Sequence, residues 1–258
     1  MLIRGGVSRG VCSPKMNWED LTVYRPLKKE DLKSAYKDFS KIVADHLLQN
    51  GFEVRGRKLI KQSGDLFHII HLDTRGSWMG ISEYFKTEIS ICSIYDIDTF
   101  ILNYELTASK KIEDLVPKIR NYSRITQEYP LLADFLTRKI REYILPYLSH
   151  YQTSKDVLSN RKKFKFDSLT DIMERNSNLI LYCELTNNVN LVSSEILKMR
   201  LTKLKNIKSD ISTIKKDEIF LHLIQERNWG KINEILIDNK EQIFKKLKIK
   251  EKLYMQNA

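Results

Sequence analysis

The side chains best suited to chemistry are the two histidines of Leu66-Phe67-His68-Ile69-Ile70-His71-Leu72, with Asp65 and Asp73 on either side. A neutral imidazole ligates metal or accepts a proton near neutral pH, and a neighbouring carboxylate supports either task. The compact apolar run reads as a β-strand, where side chains alternate between faces. Positions 68 and 71 then point to opposite faces and share no ligand unless a bulge intervenes. One packed and one solvated histidine is the expectation. Asp96 and Asp98, in Tyr95-Asp96-Ile97-Asp98, would place two carboxylates on one strand face, as some Mg2+ sites do. No further oxygen ligands stand nearby, so a solvated turn at a strand end is expected instead.

Other catalytic signatures are missing. There is no GxSxG elbow and no Walker arrangement of glycines followed by Lys-Ser/Thr, and Cys92 and Cys183 lie in apolar runs that suggest burial. The three cysteines, with Cys12, are far apart and form no CxxC pair, which argues against a disulfide framework or a zinc finger. No catalytic, cofactor or metal-binding set is assigned, and the balance leans away from an enzyme.

Recognition is the better-supported class. Arg75, Trp78 and Tyr84, in and beside the loop Arg75-Gly76-Ser77-Trp78-Met79-Gly80, combine cations with aromatics, a composition that favours protein interfaces or single-stranded nucleic acid. Arg55 and Arg57, in Gly51-Phe52-Glu53-Val54-Arg55-Gly56-Arg57-Lys58, form a small candidate anion-binding edge. A second basic set, Lys198, Arg200, Lys203 and Lys205 with Lys245, Lys246 and Lys248, is a candidate nucleic-acid surface on C-terminal helices. Lysine outnumbers arginine there, few aromatics lie between the bases, and no helix-turn-helix, RRM or KH signature appears, so a solvated helix face is the simpler reading.

The elements that hold these residues follow from a change of period. Leu32, Ala35, Tyr36, Phe39, Ile42, Val43 and Leu47 recur at three and four, which predicts a helix over Lys29 to Asn50 closed by Gly51. Short extended runs follow at Phe52–Val54, Lys58–Ile60, Leu66–Leu72 and Thr87–Ile94, with Gln62-Ser63-Gly64-Asp65 as a hairpin turn. Phe100 to Leu106 is ambiguous between strand and helix. Pro130 opens a second helix expected to stop at Pro146. Beyond Thr153 the pattern is helical: Ser168–Leu185, Asn190–Ile207, Asp217–Arg227 and Lys231–Leu247, with turns at Asn187–Asn190 and Asn228-Trp229-Gly230. The fold class is α+β, an antiparallel sheet flanked by helices and followed by an all-helical C-terminal region. Residues 1–26 form an irregular leader, 27–150 the α+β domain and 151–258 the helical region.

Two landmarks carry a family resemblance. The run Leu47-Leu48-Gln49-Asn50-Gly51-Phe52-Glu53-Val54-Arg55-Gly56-Arg57, followed by the strand Leu66–Leu72, resembles the opening of an uncharacterised bacterial family, the domain of unknown function numbered forty-three oh four. Leu145-Pro146-Tyr147-Leu148 is similar to that family's later leucine-proline-aromatic-leucine segment. The likeness spans residues 36–158 and departs from the pattern between Asp96 and Tyr129. It implies a bacterial origin and a helix-then-sheet outline, and it transfers no site residue.

With 44 Lys and Arg against 33 Asp and Glu, the net charge of +11 favours nucleic acid, an acidic partner or simple solvation. Charges interrupt every apolar stretch and the first residues lack the apolar core of a secretory signal, so no membrane association and a reducing, cytoplasmic setting are expected. The function expected first is a non-enzymatic bacterial interaction protein of the immunity, toxin-neutralising or phage-defence accessory kind, binding a protein partner. A nucleic-acid-associated protein comes second, and an enzyme with a cleft between sheet and helices third.

Overall fold

The computed structural model describes residues 27–73, 84–101, 109–119, 122–160, 177–206 and 211–251. Helix α1 (Leu32–Leu48) buries Leu32, Ala35, Phe39, Val43, Ala44 and Leu47, the stripe its spacing predicts. Gly51, at φ 84°, takes the left-handed conformation that ends it. Four antiparallel strands follow in a meander: β1 (Glu53–Arg55), β2 (Lys58–Ser63), β3 (Leu66–Asp73) and β4 (Tyr84–Ser93). The β2–β3 turn needs glycine twice over. Gly64 sits at φ 55°, and a Cβ there would lie 2.6 Å from the Gln152 carbonyl oxygen.

After β4 comes one turn of helix, α2 (Ile97–Phe100), where a solvated turn was expected. Two short strands, β5 (Ser109–Lys111) and β6 (Tyr122–Arg124), then share the outer edge of β4. They pair in tandem with Glu88–Ser90 and Tyr84–Lys86 and complete a six-stranded sheet.

Helix α3 (Tyr129–Lys139) continues through a π turn at Ile140–Ile144 into α4 (Leu145–Ser149). Pro146 therefore does not stop the helix. Proline lacks the N–H and its ring meets the carbonyl four residues back; widening the turn, with the Leu145 N–H donating to the Ile140 carbonyl, absorbs it.

The rest is helical: α5 (Ser154–Ser159), α6 (Ser177–Thr186), α7 (Ser193–Asn206), α8 (Ile211–Gln225) and α9 (Trp229–Leu247). Helix α6 is buried from Asn178 to Leu185, as befits a helix apolar all round at the centre of a bundle, and it contacts α5, α7, α9 and β4. The buried Glu184 carboxylate accepts N–H bonds from Leu191, Val192 and Ser193 at 2.9–3.0 Å, satisfying amides at the start of α7, while Asn190 accepts from Ser194.

Both faces of the sheet are covered, so every residue of β3 is buried. Leu59, Leu66, Ile70, Leu72, Phe85, Ile89 and Ile91 pack in one core with α1 and α3. On the opposite face Ile60, Phe67, Ile69 and Cys92 meet Phe100 of α2, Ile243 and Phe244 near the end of α9, and Ile249 just beyond it. Phe67 lies between the Phe100 and Phe244 rings, at 5.4 Å from each centroid.

Candidate functional site

A cavity of about 740 Å3 opens between α1 and the β1–β2 hairpin. Its floor is apolar, made by Leu32, Tyr36, Ala44, Val54, Leu59 and Leu72, and its rim carries Lys29, Lys33, Lys37, Lys41 and Arg57 against one carboxylate, Asp45. The lysines recur every fourth residue, so α1 and the turn leading into it line up four like charges along one edge. Like charges at that spacing repel, and the positive end of the helix dipole repels the first of them further. No ion pair relieves the four lysines among the described residues. The aligned charges add a small repulsion to the free helix.

The C-terminal bases fare differently. Arg200, expected on an exposed basic face, is drawn inside. Its guanidinium lies 3.1 Å from Asp98 and 3.0 Å from Asp217 and donates to the Asn178 side-chain oxygen at 2.8 Å. Lys216 also bonds Asp98, and the Tyr182 hydroxyl donates to it at 3.3 Å. The network ties the turn after β4 to α6, α7 and α8. Burial alone would raise the Asp98 carboxyl, but Lys216 and Arg200 hold it below the usual range. Asp96 caps α2 by accepting from the Thr99 N–H and hydroxyl; burial and the neighbouring Asp98 push it up to about 6.

The two histidines of β3 do face opposite ways, and neither is solvated. His68 hydrogen-bonds the Tyr151 carbonyl at 2.6 Å, and burial pushes its pKa down to about 4. His71 instead joins Asp73, Glu88 and Lys86 on the other face. Its Nε2 is 4.0 Å from Asp73, its Nδ1 is 3.8 Å from Glu88, and Lys86 lies 2.8 Å from Glu88 and 3.6 Å from Asp73.

The remaining expected residues are dispersed. Arg75 and Trp78 lie outside the described residues, and Tyr84 opens β4 opposite Arg124. Arg55 is not a free anion site: its Nε donates to the Leu247 carbonyl and its Nη2 to the Lys248 carbonyl and Glu53, clamping the end of α9. Arg57 alone of that pair joins the cavity. Lys198, Lys203, Lys245, Lys246 and Lys248 are exposed, with Lys246 donating to the Ile101 carbonyl, and Lys205 lies on α7. Among the described residues no helix is long and apolar enough to cross a membrane. The lysine ridge was missed from sequence, although the four-residue spacing of Lys29, Lys33, Lys37 and Lys41 was the signal. Comparison with known proteins returns no matching family model, curated protein or solved structure.

Proposed function

We propose that the protein is a non-enzymatic interaction protein whose α1–hairpin cavity receives an acidic, amphipathic segment of a partner protein. One observation carries this reading: an apolar floor rimmed by five cations, four of them aligned at a spacing that disfavours the free helix. Apolar anchors would seat on Leu32, Tyr36, Val54 and Leu59, while carboxylates meet the rim, giving the partner steering and register. A bacterial accessory role, of the immunity or toxin-neutralising kind, fits a small binding module of this sort.

Nucleic acid is the weaker reading. Among the described residues the cavity floor offers Tyr36 as its one aromatic for stacking, and Arg200, the arginine of the C-terminal basic set, is committed to two carboxylates. The enzymatic reading through some combination of Asp96, Asp98, His68 and His71 is disfavoured because His68 and His71 face apart and both aspartates are buried.

A photo-crosslinker at Val54 of the full chain tests the proposal. A captured protein should be lost when Lys33→Glu and Lys37→Glu are combined, should dissociate as salt rises, and should withstand nuclease treatment. Retention of every crosslinked protein by the charge-reversed chain would remove the cavity as the docking site.

A further inference from the structure

We propose that His71, Asp73 and Glu88 form a binding site for a divalent transition-metal ion of the Zn2+ or Mn2+ class. The ladder sets their positions. His71 lies directly opposite Glu88 and Asp73 opposite Lys86, so the three side chains project from one face of adjacent antiparallel strands. One ligand atom from each residue lies within 4.8 Å of the other two. A triangle of that edge has its centre about 2.8 Å from each corner, whereas bonds to such ions run about 2.0–2.2 Å. Binding would draw each ligand atom inward by up to roughly 0.6–0.8 Å.

A second observation points to a missing ligand. His71 and Asp73 are almost wholly buried, yet the imidazole Nδ1 has no hydrogen-bond partner, and its 3.8 Å separation from Glu88 is too long for one. Both ring nitrogens face carboxylates across gaps of 3.8–4.0 Å. The donor set of one imidazole nitrogen and two carboxylates suits Zn2+ or Mn2+ better than Ca2+ or Mg2+, which favour oxygen alone. Lys86, partly exposed at the edge of the cluster, now lends one positive charge to both carboxylates. A bound ion takes over that role and releases the lysine outward. Three protein ligands leave coordination positions open to water or a further ligand.

Titration calorimetry of the full chain, stripped with chelator and titrated with ZnCl2 and with MnCl2, tests the site. One equivalent of at least one ion should bind. His71→Gln and Glu88→Gln should each weaken it by about 100-fold or more, since even outer-shell partners are worth about 10- to 100-fold. Lys86→Met should bind more tightly, because the competing ammonium is gone. Unchanged affinity in both ligand variants, or no stoichiometric binding by the unaltered chain, would overturn the proposal. Should either variant fail to fold, anomalous diffraction from a ZnCl2-soaked crystal of the unaltered chain decides the matter. A peak bonded to His71 supports the site, and peaks only elsewhere overturn it.

Discussion

Asp98, Arg200, Lys216 and Asp217 form one cluster of charge in the interior, and His71, Asp73, Lys86 and Glu88 form another, but they close differently. In the first, the guanidinium of Arg200 donates to Asp98 at 3.1 Å and stands 3.0 Å from Asp217 as an ion pair without an aligned hydrogen bond, while Tyr182 and Asn178 add hydrogen bonds to Asp98 and Arg200. In the second, the imidazole stands 3.8–4.0 Å from both carboxylates. The origin of the residues explains the contrast. In the first cluster the long Arg200 and Lys216 side chains, from α7 and α8, reach Asp98 of α2 and adjust until the ion pairs close. The second projects from two strands whose separation the ladder fixes, so a gap that the side chains do not span persists. Flexible cationic side chains reaching between helices make a weld, whereas a rigid imidazole held on a sheet makes a cradle.

The largest expected effect comes from breaking the weld. Arg200→Met leaves Asp98 and Asp217 buried beside a single remaining cation and should lower stability by about 3–5 kcal/mol in urea unfolding. His71→Gln, at a position whose polar contacts are already long, should cost about 1 kcal/mol or less. Adding Asp98→Asn to Arg200→Met should recover part of the loss, because it removes one of the stranded charges. Equal effects from the two single variants would erase the distinction between weld and cradle.

Proton linkage sharpens the comparison next. With its folded pKa near 4 against about 6.5 unfolded, His68 is protonated first in the unfolded chain. Its contribution is complete above about pH 6.5 and is lost as pH falls through 4, on the order of 3 kcal/mol. Asp96 has the opposite sign. Its carboxyl is held up at about 6, so the unfolded chain ionises first and stability declines as pH rises from about 4 to 6. The two slopes oppose each other over that window. Relative to the unaltered chain, His68→Gln should gain stability on acidification from pH 6 to 4, and Asp96→Asn should lose it. Parallel pH profiles for all three chains would show that neither group is sealed as described.

How much of this was legible beforehand depended on whether the determining contact was local. The α1 stripe, the turn at Gly64 and the opposite facing of His68 and His71 follow from period and from glycine, all within a few residues. The burial of Asp96 and Asp98 was not legible, because it depends on Arg200 and Lys216 more than a hundred positions away. Glu88 was not joined to His71 for the same reason: strand register across β3 and β4 sets that pair. Pro146 misled in another way. The proline rule holds for a regular α-helix, and the π turn before it changed the geometry to which the rule applies.

Arg55 offers an intermediate effect. It bonds the Leu247 and Lys248 carbonyls at 2.6 and 2.8 Å, so it supplies partners that the last turn of α9 otherwise lacks. With the side chain about a third exposed, Arg55→Met should cost about 1–2 kcal/mol, well short of Arg200→Met. Amide hydrogen exchange should accelerate at the end of α9 more than in α6. A uniform acceleration across the chain would mean that Arg55 supports the whole fold and not the helix end.

The smallest effect should carry the opposite sign. Lys33 stands four residues after Lys29 and four before Lys37, near the start of α1. Lys33→Glu converts two like-charge neighbours into two opposite-charge ones and places a carboxylate at the positive end of the helix. It should raise stability by about 0.5–1 kcal/mol while removing one of the cavity's cations. A substitution that stabilises the chain and weakens partner capture would separate binding from folding at this edge. Destabilisation by Lys33→Glu would mean instead that the lysine ridge serves the fold, and its repulsion would no longer point to an anionic partner.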